Sequence, residues 1–206
     1  MLRMPEAFDF RAGQYLEVLH PDGAIPLSIA SAPERLPELH LHYRSTPDVD
    51  DATRMDALLE AGAPLAIRGP GGDVALPRPL TAPALIAAGG TGIAQAMSFI
   101  DAWHFAPPAR DVSLLWCADA ETDFYLREEL DALDAPWLER VLIADDDRAA
   151  TNRALVWLRE RAPELAGCHV VLAGGPGFVY AAFDTLMEAG VAAGQMQSDV
   201  FSYAPR

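Results

Sequence analysis

Beyond residue 83 the chain alternates short unbroken apolar runs with stretches of helical period, and that alternation constrains the fold more than any other feature. The apolar runs fall at 84–88, 112–117, 139–143 and 170–173, and the helices read at 93–103, around 125–133, at 153–161 and at 179–189. A strand that is apolar at every position has both faces covered. When such strands alternate with helices, the result is a parallel sheet with helices on each side.

The residues before the proline-rich joint at 77–83 (PRPLTAP) read differently. Segment 14–20 alternates and stops at Pro21-Asp22-Gly23, a strong turn signal; 25–30 restarts and ends before Ala32-Pro33. In 38–43 (ELHLHY), Leu39, Leu41 and Tyr43 share one face, with His40 and His42 on the other. A helix reads at 52–60, stopped by Gly62 and Pro64. A strand at 64–68 then runs into the turn Gly69-Pro70-Gly71-Gly72. Short strands with tight turns predict a small antiparallel barrel. The expected fold is therefore a β domain over 1–77 and a parallel-sheet α/β domain over 78–206.

Composition removes several function classes. A formal net charge of −15 repels phosphate backbones and anionic lipid, which argues against nucleic acid and membrane surfaces as partners. The chain has no lysine, which excludes a Schiff-base lysine, a P-loop lysine and a kinase lysine together. Its two cysteines, Cys117 and Cys168, fall short of the four thiolates an iron–sulfur cluster usually takes, so a cluster in the same electron chain would sit on another protein. Both read as buried strand residues. The apolar runs are too short to span a bilayer, and the first residues lack the apolar core of a signal peptide, so the expected compartment is the cytoplasm.

Two glycine-rich turns carry the chemistry. LIAAGGTGIAQAMSFI joins a strand to a helix, where glycines let the backbone approach a diphosphate and the helix N-terminus offers free N–H groups. A lone GGTG equally fits a plain tight turn. VVLAGGPGFVY repeats the strand–turn–helix arrangement, and in a parallel sheet both turns emerge at the carboxyl edge, where ligands bind.

At this point the chain resembles the ferredoxin–NADP⁺ reductase-like flavoproteins, specifically the NAD(P)H–flavin reductase branch. The similarity runs through FDFRAGQYLEV, PLSIASAPE, ELHLHY, GPGGDVALP, LIAAGGTGIA, FYLREEL, LAGGPGFVYAA and SDVFSYA, in the family's order. It implies a flavin-binding barrel (FAD or FMN) followed by a nicotinamide-dinucleotide domain, with hydride passing from nicotinamide C4 to flavin N5. Ile25, Pro26, Leu27 and Ser28 match the family's Arg-x-aromatic-Ser pattern, and the resemblance gives Ser28 the catalytic hydrogen bond to flavin N5. Ile25 stands where relatives have a phosphate-binding arginine, and Leu27 lacks the aromatic face. Both departures point to a weakly held flavin, even a diffusing substrate.

Thr53 and Arg54 fall near the second phosphate-binding segment. Leu41, His42 and Tyr43 match the strand whose backbone lies along the flavin. Gly89, Gly90, Thr91, Gly92 and Ile93 would cradle the dinucleotide diphosphate. Gly174, Gly175 and Pro176 match a Cys-Gly-Pro turn near the nicotinamide, with Gly174 in place of cysteine. Asp199-Val200-Phe201 matches the acidic-x-aromatic tail, so Phe201 lies beside the ring or serves as a core aromatic.

After the second parallel strand, WCADAETDF offers Asp119 and Glu121 and no cation until Arg127. A carboxylate beside a 2′-phosphate opposes NADPH, so NADH is the expected donor. Relatives carry roughly one more strand before the segment matching Arg3-Met4-Pro5, so the barrel is expected to be incomplete at its first strand. The acidic clusters Asp48-Val49-Asp50-Asp51 and Asp145-Asp146-Asp147 match no calcium-loop spacing and read as solvated loops, and His40 and His42 as solvent-facing rather than metal-binding. The leading expectation is an NADH-dependent flavin reductase. The alternatives are a reductase component serving a separate iron–sulfur or oxygenase protein, and a non-catalytic dinucleotide-binding remnant.

Overall fold

The computed structural model describes residues 1–5, 8–45, 49–144 and 150–206. In chain order its elements are β1 (Leu2–Arg3), β2 (Tyr15–His20), β3 (Gly23–Ser28), β4 (Glu38–Leu39), α1 (Asp50–Ala61), β5 (Ile67–Gly71), β6 (Ala84–Gly89), α2 (Ile93–Phe105), β7 (Val112–Ala118), α3 (Arg127–Ala132), β8 (Leu138–Ala144), α4 (Ala150–Arg161), β9 (His169–Ala173), α5 (Pro176–Glu188), β10 (Met196–Gln197) and α6 (Val200–Tyr203).

The second half is a five-stranded parallel sheet in the order β10-β9-β6-β7-β8. Its central strand β6 is buried throughout except Gly89, as its unbroken apolar run requires. Two cores flank the sheet. Ile86, Leu114, Trp116, Ile93 and Trp103 pack on one face. Leu85, Leu115, Leu172, Leu158 and Leu186 pack on the other. At ~25 cal/mol per Å² of apolar surface removed from water, such double-sided burial dominates the stability of this half.

The first half is antiparallel, with a three-stranded sheet β3-β2-β5 and a two-stranded pair β1-β4. Among the described residues the bridge Ile29–Leu41 joins them, together with the Ala30 amide donating to the His40 carbonyl at 2.8 Å. The expected strand over 38–43 is thus a two-residue strand plus one bridge. Among the described residues β1 and β5 do not pair, and a cleft of about 1070 Å³ lies between them, lined by Leu2, Phe8, Leu65 and Ile67. Leu16, Val18, Ile25, Ile29 and Leu39 form this half's own small core.

Two local expectations change. Gly69–Gly71 belongs to β5 rather than to a turn, because the register against β2 shifts between Tyr15 and Glu17 and glycine absorbs the irregularity. Gly69 takes φ of 144°, and a Cβ there would press on Leu16. Asp50 and Asp51 form the first turn of α1 rather than a loop, where carboxylates complement the helix dipole. Asp48 and Asp145–Asp147 lie outside the described residues. Both cysteines are buried and unpaired, and burial pushes the Cys117 thiol up to about 12. No helix among the described residues is long and apolar enough to cross a membrane.

Candidate dinucleotide and flavin site

Strands β6 and β9 are direct neighbours, in register through Ala88–Ala173, so the two glycine turns leave the sheet side by side at its carboxyl edge. Their contact is backbone on backbone. A Cβ on Gly92 would lie 2.5 Å from the Ala173 carbonyl, and one on Gly174 would lie 2.8 Å from the Gly89 oxygen. Gly174 and Gly90 also hold φ of 134° and 54°, which side chains rarely adopt. Any larger residue would pry the strands apart or strain the backbone. By contrast, nothing lies within 4 Å of a Cβ built on Gly90 or Gly175, so both turns present bare backbone to open space. That is a fit for a diphosphate between a strand end and a helix start.

Beside these turns a cleft of about 280 Å³ is lined by His42, Tyr43, Arg44, Gly90, Thr91 and Tyr125, with Thr122 and Asp123 at its rim. Two contacts across it join the halves. Tyr125 Oη lies 2.9 Å from His42 Nδ1, and Arg44 pairs with Asp123 at 3.3 Å. The Trp116 indole donates to the Gly90 carbonyl at 2.9 Å and meets the Tyr125 ring edge-on at 5.5 Å. His42 therefore faces the cleft rather than solvent. Burial, aided by the His40 charge, lowers its pKa to about 4, so it is neutral at physiological pH.

The residues named from sequence are distributed unevenly around this cleft. His42, Tyr43, Gly90 and Thr91 line it, with Gly89 and Gly174 packed together behind. Leu41 lies one bridge away from Ile29, the residue after Ser28. Ser28 sits half-buried opposite Tyr15, and among the described residues its hydroxyl has no hydrogen-bond partner. Pro26 is exposed, and Leu27 is half-buried against the small core.

Ile93 departs most from the expected cradle. Its side chain is fully buried in the core, and its amide bonds the carbonyls of Gly90 and Thr91 within the turn. Gly175 and Pro176 cap and open α5. Asp119 is exposed just past β7. Phe201 packs with Phe183 and Tyr180, at centroid distances of 5.2 and 5.8 Å, which is the core-aromatic position.

On the α1 side, Thr53 Oγ1 donates back to the Val49 carbonyl. Arg54 lies within 3.5–3.9 Å of Asp22, Asp50 and Asp51. Ile25 is 6% exposed and turned into the core. The phosphate end of a phosphorylated flavin therefore does not fit this region as the resemblance implies, because the one arginine there already holds carboxylates.

Sequence reading passed over Gln95, Tyr125 and Trp116. Gln95 is 3% exposed, and its Nε2 donates to the Gly13 carbonyl at 2.6 Å and to Asp199 Oδ2 at 2.8 Å. Desolvation raises the Asp199 carboxyl, opposed by the Gln95 bond and by the amides of Val74 and Asp73. Gln95 and Asp199 so tie the 11–14 loop and the segment after β5 to helix α2. A lone glutamine in the apolar run IAQAMSFI was the available signal.

An antiparallel β portion feeding a parallel sheet, with paired glycine turns at the sheet's carboxyl edge, is the ferredoxin–NADP⁺ reductase-like fold, and the chain is similar in sequence to proteins of that kind. Residues 85–183 match the family described as Oxidoreductase NAD-binding domain. The chain is 30% identical over 214 residues to the reductase component 1 of terephthalate 1,2-dioxygenase from Comamonas sp., covering 99% of this chain and 63% of that protein. It is 30% identical over 138 residues to a probable flavin reductase of Vibrio harveyi, covering 63% of this chain and 58% of that one. A ferredoxin–NADP⁺ reductase from Neisseria gonorrhoeae, solved with FAD and NADP bound, superposes with a TM-score of 0.71 at 19% identity, over 96% of this chain and 89% of that one. The chain spans less than two thirds of the length of the first of these relatives.

Proposed function

We propose that this chain oxidises NADH and passes the hydride to a flavin that enters the cleft as a diffusing substrate. The observation that carries this reading is the side-by-side placement of two bare glycine turns at the ends of β6 and β9, next to a cleft between the two halves. When both ligands are bound, nicotinamide C4 supplies the hydride and flavin N5 takes it. The chain's contribution is positional. The turn at Gly89–Gly92 and the start of α5 hold the diphosphate. Thr91 and Tyr125 bound the space for the ring, and the unpartnered Ser28 hydroxyl is the group offered to N5. The division into a flavin half over 1–77 and a dinucleotide half over 78–206 belongs to the same proposal.

Two features support its finer points. Arg127, the first cation after β7, already pairs with Glu121 and stacks on Phe124 at 5.1 Å, so among the described residues it is not free to greet a 2′-phosphate beside exposed Asp119. NADH is therefore the proposed donor. The carboxylates around Arg54 and the buried Ile25 disfavour a flavin phosphate, so riboflavin should compete well with FMN and FAD. Losing a charge-assisted bond to phosphate removes ~1.5–3 kcal/mol, about one to two decades of affinity.

The second reading, a reductase component that passes electrons to a separate iron–sulfur or oxygenase protein, draws on the Comamonas relative's name. Gel filtration followed by a flavin absorbance spectrum separates the two: flavin lost supports the diffusing substrate, and flavin retained supports the reductase component. The activity itself is tested by following NADH absorbance with FMN, FAD and riboflavin in turn. NADH oxidation stimulated by at least one flavin is expected. Measurable NADH binding with no oxidation under any flavin would leave only a dinucleotide-binding remnant.

A further inference from the structure

Helix α2 divides the seam between the two halves into two pockets, and they differ in one respect. On one flank Arg35 faces a pocket of about 270 Å³, but Asp101 grips its guanidinium through both carboxylate oxygens at 2.6–3.1 Å. On the other flank a larger cavity, about 450 Å³, is walled by Phe10, Leu76, Phe99 and Trp103, with Arg11 and Arg78 as its charged residues and, among the described residues, no carboxylate in its lining. Arg78 is engaged, donating to the Ala102 carbonyl at 3.0 Å and pairing with Glu34 at 2.9 Å. Arg11 is not. Its backbone amide is bonded to Gln14, but among the described residues its guanidinium meets no acceptor.

In a chain with twice as many acidic as basic residues, Arg11 thus brings a cation that meets no carboxylate among the described residues to an aromatic-walled cavity. The partner flank has its anion built in at Asp101. The Arg11 flank has space where that anion would be. Planar guanidinium binds carboxylate through two parallel bonds, and a cavity of this volume with aromatic walls and a few polar groups is the usual form of a small-molecule site. Arg11 has one charge to spare and Arg78 is already paired, which suits a monoanion rather than a phosphate dianion.

We propose that this cavity is a binding site for an aromatic monocarboxylate, its ring against Phe10, Phe99 and Leu76 and its carboxylate on Arg11. The occupant touches the 10–12 loop, the segment leading to β6 and helix α2, so it rests on both halves and on their connection. It is separate from the dinucleotide cleft, which lies at the opposite, N-terminal end of α2.

The test is titration of the purified protein with benzoate, with benzamide as the uncharged isostere, read by ligand-observed saturation-transfer NMR. It is repeated with saturating NADH and with Arg11→Gln and Ala75→Phe. The first variant removes the charge at an exposed position; the second fills the cavity and keeps the charge. Saturable benzoate binding is expected with and without NADH, weakened about tenfold or more by either variant and about tenfold or more for benzamide. Circular dichroism spectra of both variants should match the wild type. No saturable benzoate binding, equal binding of benzamide, binding untouched by both variants, or displacement by NADH would each overturn the proposal.

Discussion

The two halves of this molecule reach the cleft between them by different means. The parallel half buries its strands on both faces and brings backbone to backbone at Gly92–Ala173 and Gly174–Gly89. Its surface at the carboxyl edge follows from that packing and is written in glycine. Among the described residues, the antiparallel half joins its two sheets through the Ile29–Leu41 bridge, leaves β1 and β5 unpaired with each other, and keeps a much smaller core. Its side chains rather than its backbone meet the cleft, and its one arginine near α1 is occupied by carboxylates. Position is fixed where packing demands it. On the proposed function, affinity for a phosphorylated flavin should be weak where Arg54 is already among carboxylates.

Substitutions should expose the contrast in order of size. Gly92→Val puts a branched side chain against the Ala173 backbone, which cannot move without parting α2 from β9. Backbone overlap of this kind should cost upwards of ~3 kcal/mol in urea denaturation. The corresponding change in the other half, Leu27→Ala at a half-buried position, should cost about 1 kcal/mol or less. Similar losses at both sites would erase the distinction.

Gln95→Leu probes the tie between halves. It takes the side-chain donor from the Gly13 carbonyl and one of the donors from the Asp199 carboxylate, and a loss of ~1–3 kcal/mol is expected. Asp199 should then hold its proton to still higher pH. Its raised folded pKa favours the native state at low pH, and that contribution disappears as pH climbs through the folded value. An NMR titration of the Asp199 carboxyl in wild type and variant checks the direction.

A smaller, pH-dependent effect belongs to His42. Its pKa falls from 6.5 to about 4 on folding, so its contribution is complete above pH 6.5 and is lost as pH drops toward 4, because the unfolded chain takes up the proton first. Partial exposure reduces the total to on the order of 1–2 kcal/mol. Denaturation midpoints of wild type and His42→Asn should diverge at neutral pH and converge toward pH 4. A constant difference across that range would show that the Tyr125 contact, not the buried ring, sets the stability.

Much of the parallel half was legible because unbroken apolar runs and strand–helix alternation admit few alternatives. Its four main strands and helices fall within a few residues of their expected places. The antiparallel half was harder to read. Glycine in 69–72 has two uses, turn and bulge, and only the partner strand decides between them. Individual side chains were least legible of all. Nothing in the letters says that Ile93 spends its amide inside the turn, that His42 turns to Tyr125, or that Arg54 is surrounded by three aspartates contributed by α1 and the β2–β3 turn. Those are properties of neighbours brought together by folding.

Gly175 offers the most direct trial of the whole reading. It caps α5 with ordinary backbone angles, φ of −67° and ψ of 154°, and a Cβ there meets nothing within 4 Å among the described residues. Calorimetric titration of NADH into wild type and Gly175→Val, with thermal unfolding recorded for both, isolates the ligand from the fold. If two glycine turns share one dinucleotide, the variant should melt like the wild type and bind NADH about tenfold or more weakly. Undiminished NADH affinity in a variant that folds normally would contradict it.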